Sequence, residues 1–492
     1  MSKSGRAYLA IDLGAETGRA FLGKLQGGRI DLSEIQRFPN QPVEYGGVPH
    51  WDVPRLWHDV RSALRAVEEP ELAGIGVDAW GVDYALLGER GELLQNPRHY
   101  RDHRNVTAMN DVLRIVSREE IYRSTGIQFM PINTLNQLFA ASRDTPRLLA
   151  AADRLLMIPD LFHYWMTGNT VCEFTAATTT QLIDVRTRNW AADLMQRLGL
   201  PPGLAGPIAE PGSVVGQLQN GLSRASLNGT PVITPASHDT ASAVSAVTAR
   251  DDTAFLSSGT WSLIGIELEA PIISEYALRL NFTNEGGISG TTRFLKNVMG
   301  LWMLQGCRRS FAASGRDYSY ADMIEAAGQA PAFRHLVDPD DVSFLNPDDM
   351  LVAIDRFCLK CDQPTPEHPG SYTRTVLESL ALKYRLVIRN LEALVGRPIA
   401  QIRIIGGGSR NHLLNQFTAD ATGRRVLAGP VEAAVLGNIG VQMMATGTAA
   451  SLAVAREVIE RSFPTEVFEP SGAGAWDGAA DRFQQYCELT YA

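Results

Sequence analysis

Short apolar segments, each ended by glycine or polar residues, open the chain and predict three consecutive β-strands. The segments AYLAIDLG, RAFLGKL and RIDLSEIQRF have strand-like patterning, and short glycine-containing turns separate them. Apolar residues then recur at Leu56, Val60, Leu64 and Val67, behind Pro54, and this spacing predicts a helix with proline in its first turn. GIGVDAWG and DYALLGERGE predict a further pair of strands. The opening of the chain therefore predicts an α/β domain.

A second start with the same pattern lies about half a chain later. TAFLSSGTWSLIGIELE again predicts a strand, a tight glycine turn and a strand, and its alignment with LAIDLGAETGRAFLGKL places Gly259 on Gly14 and Ser262 on Thr17. One glycine hairpin often resembles another, but the separation by a domain length favours a duplication. Three antiparallel strands, a helix and a strand are also the order of a ribonuclease H-like unit. We therefore expect two similar domains that face one another, each with a hairpin turn directed to the cleft.

The second half of the chain contains three further patterned segments. SYTRTVLESLALKYRLVIRNLEALVG has apolar residues along one face and is followed by Gly396 and Pro398, which predicts a long helix that ends at that glycine. QIRIIGGGSRNHLLNQF predicts a strand, a glycine turn and a helix, and KNVMGLWMLQ (residues 296–305) has helical spacing. A polar run predicts the domain junction at residues 246–252. The expected division is a domain over residues 1–248, a domain over residues 249–450 and a helical tail over residues 451–492.

Composition narrows the class of protein. The 492 residues exceed the size at which one hydrophobic core keeps growing, so two domains are the default expectation. A net charge of −9 disfavours nucleic acid or an anionic membrane as the main partner. Five cysteines are few and odd in number, as in a reducing compartment, and the first apolar run ends at Asp12, too early for a signal sequence. We expect a cytoplasmic protein that is a monomer or a weak dimer.

The first glycine turn, DLGAETGR (residues 12–19), has the composition of a phosphate site. Main-chain N–H groups in such a turn converge on phosphate oxygens, and Asp12 at the strand end suits Mg²⁺ held through water. Thr17 and Arg19 add a hydroxyl group and a guanidinium group. The alternative is an ordinary hairpin in which Asp12 is exposed to solvent.

Two later glycine segments complement this turn. SSGTWS (residues 257–262) offers hydroxyl groups beside Gly259, and together with the first turn it predicts a two-sided phosphate clamp. IIGGGSRN (residues 404–411) follows a strand and opens a helix, and a nucleobase or ribose lying on Gly406, Gly407 and Gly408 would explain three glycines in succession. The spacing is neither that of a dinucleotide fingerprint nor that of a P-loop. A tight strand-to-helix connection is the alternative.

The segment ASHDT (residues 236–240) places an acid among small apolar residues. A charged carboxylate in such surroundings is costly unless it is paired or functional, and Asp239 suits the acceptance of a proton from a substrate hydroxyl during phosphoryl transfer. His238 and Thr240 would bind a polyol. The alternative for Asp239 is an N-cap of the following helix, and the alternative for His238 is a structural role.

Three weaker candidates complete the set. DAWGVDY (residues 78–84) joins two strands by a turn with Trp80, Gly81 and Asp83, which suits a sugar, although a tryptophan in the core is the alternative. Asn297 and Gln305 are polar residues in the apolar pattern of KNVMGLWMLQ. The cysteines at positions 358 and 361 lack the second Cys or His pair that a zinc site needs, so we interpret them as structural.

Taken in order, DLGAETGR, WGVD, YRDHR, GIQFMPINTL, ASHDTASAV, SSGTWSL, TNEGG, LKNVMGLW and GGGSRN resemble the motifs of the FGGY carbohydrate kinases over nearly the whole chain. The glycine turns are unspecific one by one, whereas GIQFMPINTL, ASHDTASAV and LKNVMGLW together are specific. The resemblance implies an α/β fold of the actin/hexokinase/sugar-kinase type, with two ribonuclease H-like domains that close over ATP and Mg²⁺. It also implies phosphorylation of L-rhamnulose at its 1-hydroxyl, a step of L-rhamnose catabolism.

The same resemblance implies roles for individual residues. Contacts with ATP are implied for Ala15, Glu16, Thr17, Gly18, Arg19, Thr260, Gln305 and Gly407. Contacts with the sugar are implied for Gly81, His238, Asp239, Thr240 and Asn297, with Asp239 as the proton acceptor. Glu16 departs from the family pattern, because a small hydroxyl residue usually stands there and a carboxylate would repel phosphate. We therefore expect the Glu16 side chain to point outward.

Two other functions stay open from the sequence. A kinase of the same family acting on another ketose, such as L-fuculose or a pentulose, would differ by a few hydrogen bonds to the acceptor. A nucleotide-driven switch of the actin or chaperone type would have the phosphate turns but would need no acceptor-binding SHDT segment. ADP release with and without a panel of ketoses distinguishes the three possibilities.

Overall fold

The computed structural model of the protein describes residues 5–248 and 252–491. Its strands are, in chain order, β1 (Arg6–Leu13), β2 (Thr17–Gln26), β3 (Arg29–Pro39), β4 (Pro42–Tyr45), β5 (Val48–Trp51), β6 (Gly74–Ala79), β7 (Tyr84–Leu87), β8 (Arg154–Met157), β9 (Cys172–Glu173), β10 (Ile183–Asp184), β11 (Asn189–Trp190), β12 (Ile208–Ala209), β13 (Val214–Gln217), β14 (Pro231–Ile233), β15 (Thr253–Ser258), β16 (Trp261–Leu268), β17 (Thr283–Gly286), β18 (Thr292–Met299), β19 (Gln401–Ile405), β20 (Arg425–Ala428) and β21 (Glu466–Phe468). Its α-helices are α1 (Val53–Ala66), α2 (Arg104–Ile115), α3 (Arg118–Thr125), α4 (Thr134–Asp144), α5 (Pro146–Ala150), α6 (Ile158–Thr167), α7 (Phe174–Thr178), α8 (Ala192–Arg197), α9 (Asp239–Ser245), α10 (Glu275–Arg279), α11 (Trp302–Ala313), α12 (Tyr320–Gln329), α13 (Met350–Lys360), α14 (Pro369–Val395), α15 (His412–Thr422), α16 (Ala433–Ala445), α17 (Leu452–Ser462) and α18 (Ala473–Tyr491). Within these residues, no helix combines the length and the apolar character needed to cross a membrane.

The chain forms two compact units, and neither is continuous in sequence. The first unit contains Met1–Thr248, Glu267–Leu295 and Glu432–Pro464. The second unit contains Ala249–Ile266, Lys296–Val431 and Thr465–Ala492. The predicted junction at residues 246–252 includes residues 249–251, which lie outside the described residues.

The residues after position 450 are shared between the two units, which differs from the expected separate tail. In the first unit, α17 packs on α16 and β3, and its residues Ala455, Val458 and Ile459 are buried. In the second unit, β21 pairs with β20, and α18 packs on α14 and α15. Each segment buries its apolar face against a different unit, and this burial divides the segment.

The first unit is built on a six-stranded sheet in the order β13-β14-β6-β1-β2-β3. Strand β1 is antiparallel to β2 and parallel to β6, and it is buried after its first residue, as expected for a central strand with a nearly continuous apolar run. The three predicted opening strands are confirmed. The strands predicted in GIGVDAWG and DYALLGERGE are present as β6 and β7, but they do not pair with each other, because β6 lies between β1 and β14 while β7 pairs with β8.

The strands of the second sheet, most of which belongs to the second unit, follow the same order. β18, β16, β15, β19, β20 and β21 are neighbours in that succession, with β15 antiparallel to β16 and parallel to β19. They correspond in turn to β3, β2, β1, β6, β14 and β13, and the pairs β13–β14 and β20–β21 are both antiparallel. The duplication predicted from two glycine hairpins is therefore confirmed in the strand order.

The two hairpin turns differ by one residue. In the first turn, the Gly14 N–H donates to the Thr17 carbonyl oxygen at 3.0 Å, and in the second the Gly259 N–H donates to the Trp261 carbonyl oxygen at 2.9 Å. The second turn is one residue shorter, so Thr17 corresponds to Trp261. The predicted match with Ser262 is one residue out, because loop length and not residue type fixes the register of a hairpin.

The helix predicted over residues 296–305 is wrong in its first half. Strand β18 extends to Met299, and α11 begins only at Trp302. Gly300 lies between them, where a Cβ atom would be 2.6 Å from the Trp261 carbonyl carbon and 2.8 Å from the Gly259 carbonyl oxygen. Close approach of the second glycine turn thus determines where the strand ends, and apolar spacing does not encode such an approach.

Helix α9, which begins at Asp239, packs closely on α16 in the first unit. The contact centres on Gly437, where a Cβ atom would overlap the Ser242 carbonyl oxygen and the Ser245 hydroxyl. Asn438, the next residue of α16, donates from Nδ2 to a carboxylate oxygen on β6 at 2.6 Å. The close helix contact is therefore coupled to a polar contact with the sheet.

We expect Gly437→Ala to lower the free energy of unfolding by about 1–3 kcal/mol, because extra volume in a close-packed contact forces the helices apart. The matched control is Gly440→Ala on the same helix, where a Cβ atom would make ordinary contacts at 3.5 Å with Ile459 and 3.6 Å with Ala455. The control should be neutral or stabilising by up to about 1 kcal/mol, since alanine favours a helix over glycine. Urea unfolding measures both changes, and equal stability of the two variants would contradict the assigned contact.

Candidate active site

Strand β1 ends beside two further charged groups of the first unit. Asp12 is buried and lies opposite Arg19 in the antiparallel register with β2 and opposite Asp78 in the parallel register with β6. Arg19 forms ion pairs with Asp12 and with Glu432. These carboxylates, Asp12 foremost, raise the pKa of Arg19 above its ordinary value. The alternative of a hairpin with a solvent-exposed Asp12 is therefore excluded.

Asp78 is an acid of this site that the sequence analysis missed. It is fully buried, its Oδ2 accepts a hydrogen bond from Asn438 at 2.6 Å, and its Oδ1 has no hydrogen-bond partner among the described residues. Burial, and after it the Asp12 carboxylate, raises the pKa of Asp78 well above its ordinary value. A signal was present, because AIDLG and GVDAW place an aspartate at the same point of two strands that prove to be parallel neighbours.

The turn after β1 is braced by a residue that follows β3. Asn40 is buried, and its Nδ2 donates to the Gly14 carbonyl oxygen at 2.8 Å. Its main-chain N–H donates to the Glu16 carbonyl oxygen at 2.9 Å. The backbone of the turn is therefore held in one conformation by a residue that no motif pointed to.

The predicted phosphate contacts of this turn differ in exposure. Ala15 is half-buried, and Glu16 and Thr17 are exposed. The exposure of Glu16 is consistent with the outward orientation expected for its side chain. Gly18 is explained by packing, because a Cβ atom there would overlap the ring of Phe38. The turn thus offers backbone and a threonine hydroxyl rather than an apolar surface.

The segment that precedes α9 is held by two residues at the start of α7. The buried Glu173 accepts hydrogen bonds on Oε2 from the Ser237 N–H at 3.1 Å and from the Thr175 hydroxyl at 2.6 Å. Thr175 Oγ1 in turn accepts a hydrogen bond from the His238 N–H at 3.1 Å. Burial raises the pKa of Glu173 to about 7. The backbone that carries the predicted base is therefore fixed by side chains distant in sequence.

Asp239 is the first residue of α9, and its carboxylate does not act as the cap of that helix. His238 precedes the helix without a side-chain cap bond, whereas Asp239 Oδ1 accepts from the Thr240 hydroxyl at 3.1 Å and lies 3.5 Å from His238 Nε2. The Asp239 side chain is 30% exposed. Burial raises its pKa, and the neighbouring His238 partly opposes that change. A half-buried carboxylate with a raised pKa is a stronger base than an ordinary aspartate.

The turn after β6 contains a strained backbone. Val82 has a φ of +66°, which is unusual for a β-branched residue. Its N–H donates to Thr179 Oγ1 at 3.0 Å, and its carbonyl oxygen accepts from Thr134 Oγ1 at 2.6 Å and from Gln137 Nε2 at 3.1 Å. Surrounding side chains therefore hold the strain in place, as they do at many functional sites.

Gly81 adjoins this strained residue and lies beside the predicted sugar contacts. A Cβ atom on Gly81 would be 3.2 Å from His238 Nε2 and 3.0 Å from Thr179 Cγ2. The structure therefore brings Gly81, His238, Asp239 and Thr240 together within the first unit, and it adds Thr179, which sequence reasoning did not single out.

Trp80 and Asp83 of the same turn belong to the core. Asp83 is fully buried and accepts hydrogen bonds from the indole N–H groups of Trp51 and Trp80 and from Gln137 Nε2. Burial raises the pKa of Asp83 to about 7 in spite of these bonds. The alternative weighed from the sequence, a core tryptophan in a turn, is therefore the one the structure has.

In the second unit, the predicted nucleotide contacts gather around the second glycine turn. At the start of α11, the Leu301 N–H donates to the Gly259 carbonyl oxygen at 2.9 Å and the Trp302 N–H donates to the Thr260 carbonyl oxygen at 3.2 Å. Gln305 follows on α11, and its N–H donates to the Leu301 carbonyl oxygen at 2.9 Å. Thr260 and Gln305 are therefore linked through the first turn of one helix.

The three glycines after β19 lie in different surroundings. Gly406 has a φ of +83°, and a Cβ atom on Gly408 would overlap the Ser258 side chain at the end of β15. A Cβ atom on Gly407 would meet no atom within 4 Å, so there is open space at this residue. Asn297, predicted to contact the sugar, is half-buried on β18 in the same unit.

Among the described residues, no group of three or more His, Cys, Asp or Glu side chains has the arrangement of a metal site. The acids of the first unit instead form a looser group, in which the Asp12 carboxylate raises the pKa of both Asp78 and Asp239. This arrangement suits a site where a cation, either free or bound to phosphate, offsets the negative charge of two or three carboxylates.

Comparisons with known proteins cover both halves of this chain. A model of the FGGY family of carbohydrate kinases, N-terminal domain, matches residues 7–245, and the model of its C-terminal domain matches residues 254–446. The rhamnulokinase of Bacteroides thetaiotaomicron is 44% identical over 97% of this chain and 98% of its own. The rhamnulokinase of Enterococcus faecalis is 42% identical over 94% of each chain, and that of Bacillus subtilis is 40% identical over 94% of this chain and 95% of its own.

Solved structures share the two-domain α/β fold at low identity. Gluconate kinase from Lactobacillus acidophilus has a TM-score of 0.79 at 19% identity, covering 99% of this chain and 98% of its own. Xylulose kinase from the same organism has a TM-score of 0.79 at 18% identity, covering 98% and 97%. Plasmodium falciparum glycerol kinase with ADP has a TM-score of 0.75 at 12% identity, covering 99% of each chain. At these identities the likeness shows the fold alone.

The strain at Val82 predicts an unusual response to glycine. We expect Val82→Gly to leave the free energy of unfolding within about 0.5 kcal/mol of the parent value or to raise it, because glycine adopts a positive φ without the steric cost of other residues. The control is Val43→Gly, at a half-buried valine on β4, which should lower the free energy of unfolding by about 1 kcal/mol. Urea unfolding compares the two, and an equal loss at both positions would show that Val82 is not strained.

Proposed function

The chain belongs to the FGGY family of carbohydrate kinases, and on this basis we propose that it transfers the γ-phosphoryl group of ATP to the 1-hydroxyl of L-rhamnulose, giving L-rhamnulose 1-phosphate and ADP. The choice of sugar is supported by the similarity to rhamnulokinases over nearly the whole chain. The chemistry is supported by one structural observation, the half-buried Asp239 carboxylate with its raised pKa beside His238.

In this proposal Asp239 is the base. As the sugar oxygen attacks the γ-phosphorus, its proton passes to the Asp239 carboxylate, the new O–P bond forms, and the bond from the γ-phosphorus to the bridging oxygen of ADP breaks. The raised pKa makes this carboxylate a stronger base than an ordinary aspartate. His238, Thr240, Gly81 and Asn297 would orient the sugar, and positioning of this kind supplies much of the acceleration in phosphoryl transfer.

We assign the contacts with ATP to each unit separately. In the first unit the contacts would come from the turn after β1, that is Ala15, Glu16, Thr17, Gly18 and Arg19. Because Arg19 is ion-paired with Asp12 and Glu432, its part would be to orient Asp12 as much as to bind phosphate. In the second unit, Thr260, Gln305 and Gly407 would contact the nucleotide, and the open space at Gly407 supports its part in this assignment.

The residues at the ends of β1 and β6 fit the Mg²⁺ ion that accompanies ATP. Asp78 Oδ1 is buried without a hydrogen-bond partner among the described residues, and Asp12 lies opposite it on the neighbouring strand. Mg²⁺ keeps several waters and takes one or two carboxylates together with phosphate oxygens, so Asp12 and Asp78 are a sufficient set. When bound, the ion would offset negative charge on the transferred phosphoryl group.

The cysteines support a place for this activity in a reducing compartment. All five are free and buried. We propose that the protein works in the cytoplasm and that it is a monomer or weak dimer. Analytical ultracentrifugation of the purified chain measures the oligomeric state directly.

Replacement of Asp239 by asparagine should separate catalysis from stability. We expect Asp239→Asn to lower kcat by about 100-fold or more, because the base is lost, with the affinity for a non-hydrolysable ATP analogue unchanged. The same variant should have a higher Tm at neutral pH. The pKa of Asp239 is higher in the folded chain than in the unfolded chain. Stability is therefore lost as the pH rises from the pKa of the unfolded chain through that of the folded chain, and the loss is present at neutral pH.

The matched control is Asp355→Asn on α13, at another half-buried acid whose pKa burial raises. It should leave kcat unchanged. Near-parental turnover by Asp239→Asn with ATP-analogue binding intact would remove Asp239 from the role of base.

A panel of ketoses tests the proposed acceptor. We expect ADP release from ATP to be stimulated by L-rhamnulose and far less by L-fuculose or pentuloses, since each hydrogen bond that the wrong sugar leaves unmade costs affinity in the transition state. A coupled ADP assay with and without each sugar provides the measurement. Strongest stimulation by another ketose would reassign the substrate within the family, and equal rates with no sugar would favour a nucleotide-driven switch.

A further inference from the structure

A buried charged pair lies against the site histidine in the first unit. Glu285 on β17 and Arg293 on β18 are directly opposite in the antiparallel register, and they are 4% and 1% exposed. Arg293 Nη2 lies 3.1 Å from Glu285 Oε2 and 3.2 Å from His238 Nδ1. Arg293 Nε donates to the Gly286 carbonyl oxygen at 2.8 Å. The β17–β18 hairpin therefore fixes the position of the guanidinium group that contacts the imidazole of His238.

The contact with Arg293 bears on which ring nitrogen of His238 carries the proton. A guanidinium only donates hydrogen bonds, so the Nδ1 atom that faces Arg293 must accept. In a neutral imidazole with Nδ1 as the acceptor, the proton is on Nε2. Burial lowers the pKa of Arg293 and the nearby Glu285 carboxylate opposes this, and arginine keeps its charge in such surroundings.

The opposite nitrogen faces the proposed sugar contacts. His238 Nε2 is 3.5 Å from Asp239 Oδ1, longer than an ordinary N–H···O hydrogen bond, and a Cβ atom on Gly81 would lie 3.2 Å from the same nitrogen. We infer that Arg293, held by Glu285, is a positioning residue that sets His238 as an Nε2–H donor to an oxygen atom of the acceptor sugar. This inference rests on the proposed function.

The assignment separates the roles of two neighbouring groups. With its proton on Nε2, His238 donates to one sugar oxygen while Asp239 accepts a proton from another. The histidine can therefore bind a carbonyl oxygen next to the reacting hydroxyl, as in an open-chain ketose. With its proton on Nδ1, towards Glu285 Oε2 at 3.4 Å, His238 would present a second acceptor beside Asp239 and would reject a carbonyl oxygen. The Arg293 contact therefore keeps a donor that a ketose carbonyl can accept from, whereas the opposite tautomer would exclude the carbonyl.

Nitrogen-15 NMR of the imidazole groups tests the assignment without any substrate. In the full-length protein labelled at its nine histidines, the His238 signals are assigned by their absence from the spectrum of His238→Gln. We expect a protonated Nε2 and an unprotonated Nδ1 at about pH 8, where an ordinary histidine is neutral. A protonated Nδ1 in the parent protein overturns the inference, whichever sugar is phosphorylated.

The variant test uses a charge-neutral exchange, Glu285→Gln together with Arg293→Met, because removal of one partner alone would leave a buried unpaired charge. We expect the single Nε2–H pattern to be lost and kcat/KM for the ketose to fall by about tenfold or more, with KM for ATP unchanged. Arg293→Lys, which keeps a cation that only donates, should retain the Nε2–H pattern and more of the kcat/KM than the double variant.

The matched control is Glu267→Gln with Arg456→Met, a half-buried pair near the other end of α9, where Arg456 donates to the Ser245 and Val244 carbonyl oxygens at 3.1 Å. The control should lower thermal stability but leave the His238 signals unchanged and kcat/KM within about twofold, because its sites are independent of the histidine. An equal kinetic loss in the control overturns the inference.

Unchanged signals and kcat/KM in the Glu285 and Arg293 double variant would also overturn it. If that variant does not fold, the spectrum of the parent protein and the spectrum and kcat/KM of Arg293→Lys test the inference. If the parent phosphorylates no ketose, the proposed function fails, while the spectrum still reports the position of the proton.

Discussion

Burial of acidic side chains is the constraint on which the structure of the first unit depends. Asp12, Asp78 and Asp239 are close enough that the first raises the pKa of the other two. A buried carboxylate is stable only when it is paired or hydrogen-bonded, so Asp12 and Asp78 each require a partner from another part of the fold. Arg19 on β2 pairs with Asp12, and Asn438 on α16 binds Asp78. The sheet and the helices must therefore all be in place before the acids are satisfied.

Several features of the first unit that lower its stability hold these acids and His238 in place. The close packing at Gly437 brings α16 near enough for the following residue to reach β6. Glu173, with a pKa of about 7, holds the backbone in front of α9, and Arg293 holds the ring of His238. Buried charges and a strained valine lower stability, and they are kept where side chains must be fixed for chemistry.

The two units have one topology and unequal chemistry. The strand order of the first sheet recurs in the second, yet the first glycine turn follows a buried aspartate and the second follows a serine. In the second unit, the turn is bonded to the start of α11 and lies near the glycines after β19, so backbone groups predominate there. A duplicated fold has thus been specialised by the side chains at equivalent strand ends, which fits a kinase that must treat a sugar hydroxyl and a nucleotide differently.

The sequence by itself determined the local elements and the family. Period-two and helical spacing, with glycine and proline at the ends, predict β1 to β3, α1 and α14, and the order of the motifs identifies a carbohydrate kinase. Only the tertiary structure decided that Asp78 lies opposite Asp12, that Glu173 holds the residues before Asp239, and that Arg293 contacts His238. It also decided that β6 pairs with β1 and that β18 continues through a segment with helical spacing. Periodicity shows which face of an element is buried, but the partner on that face depends on strand register and chain topology, which are set by contacts between residues far apart in sequence.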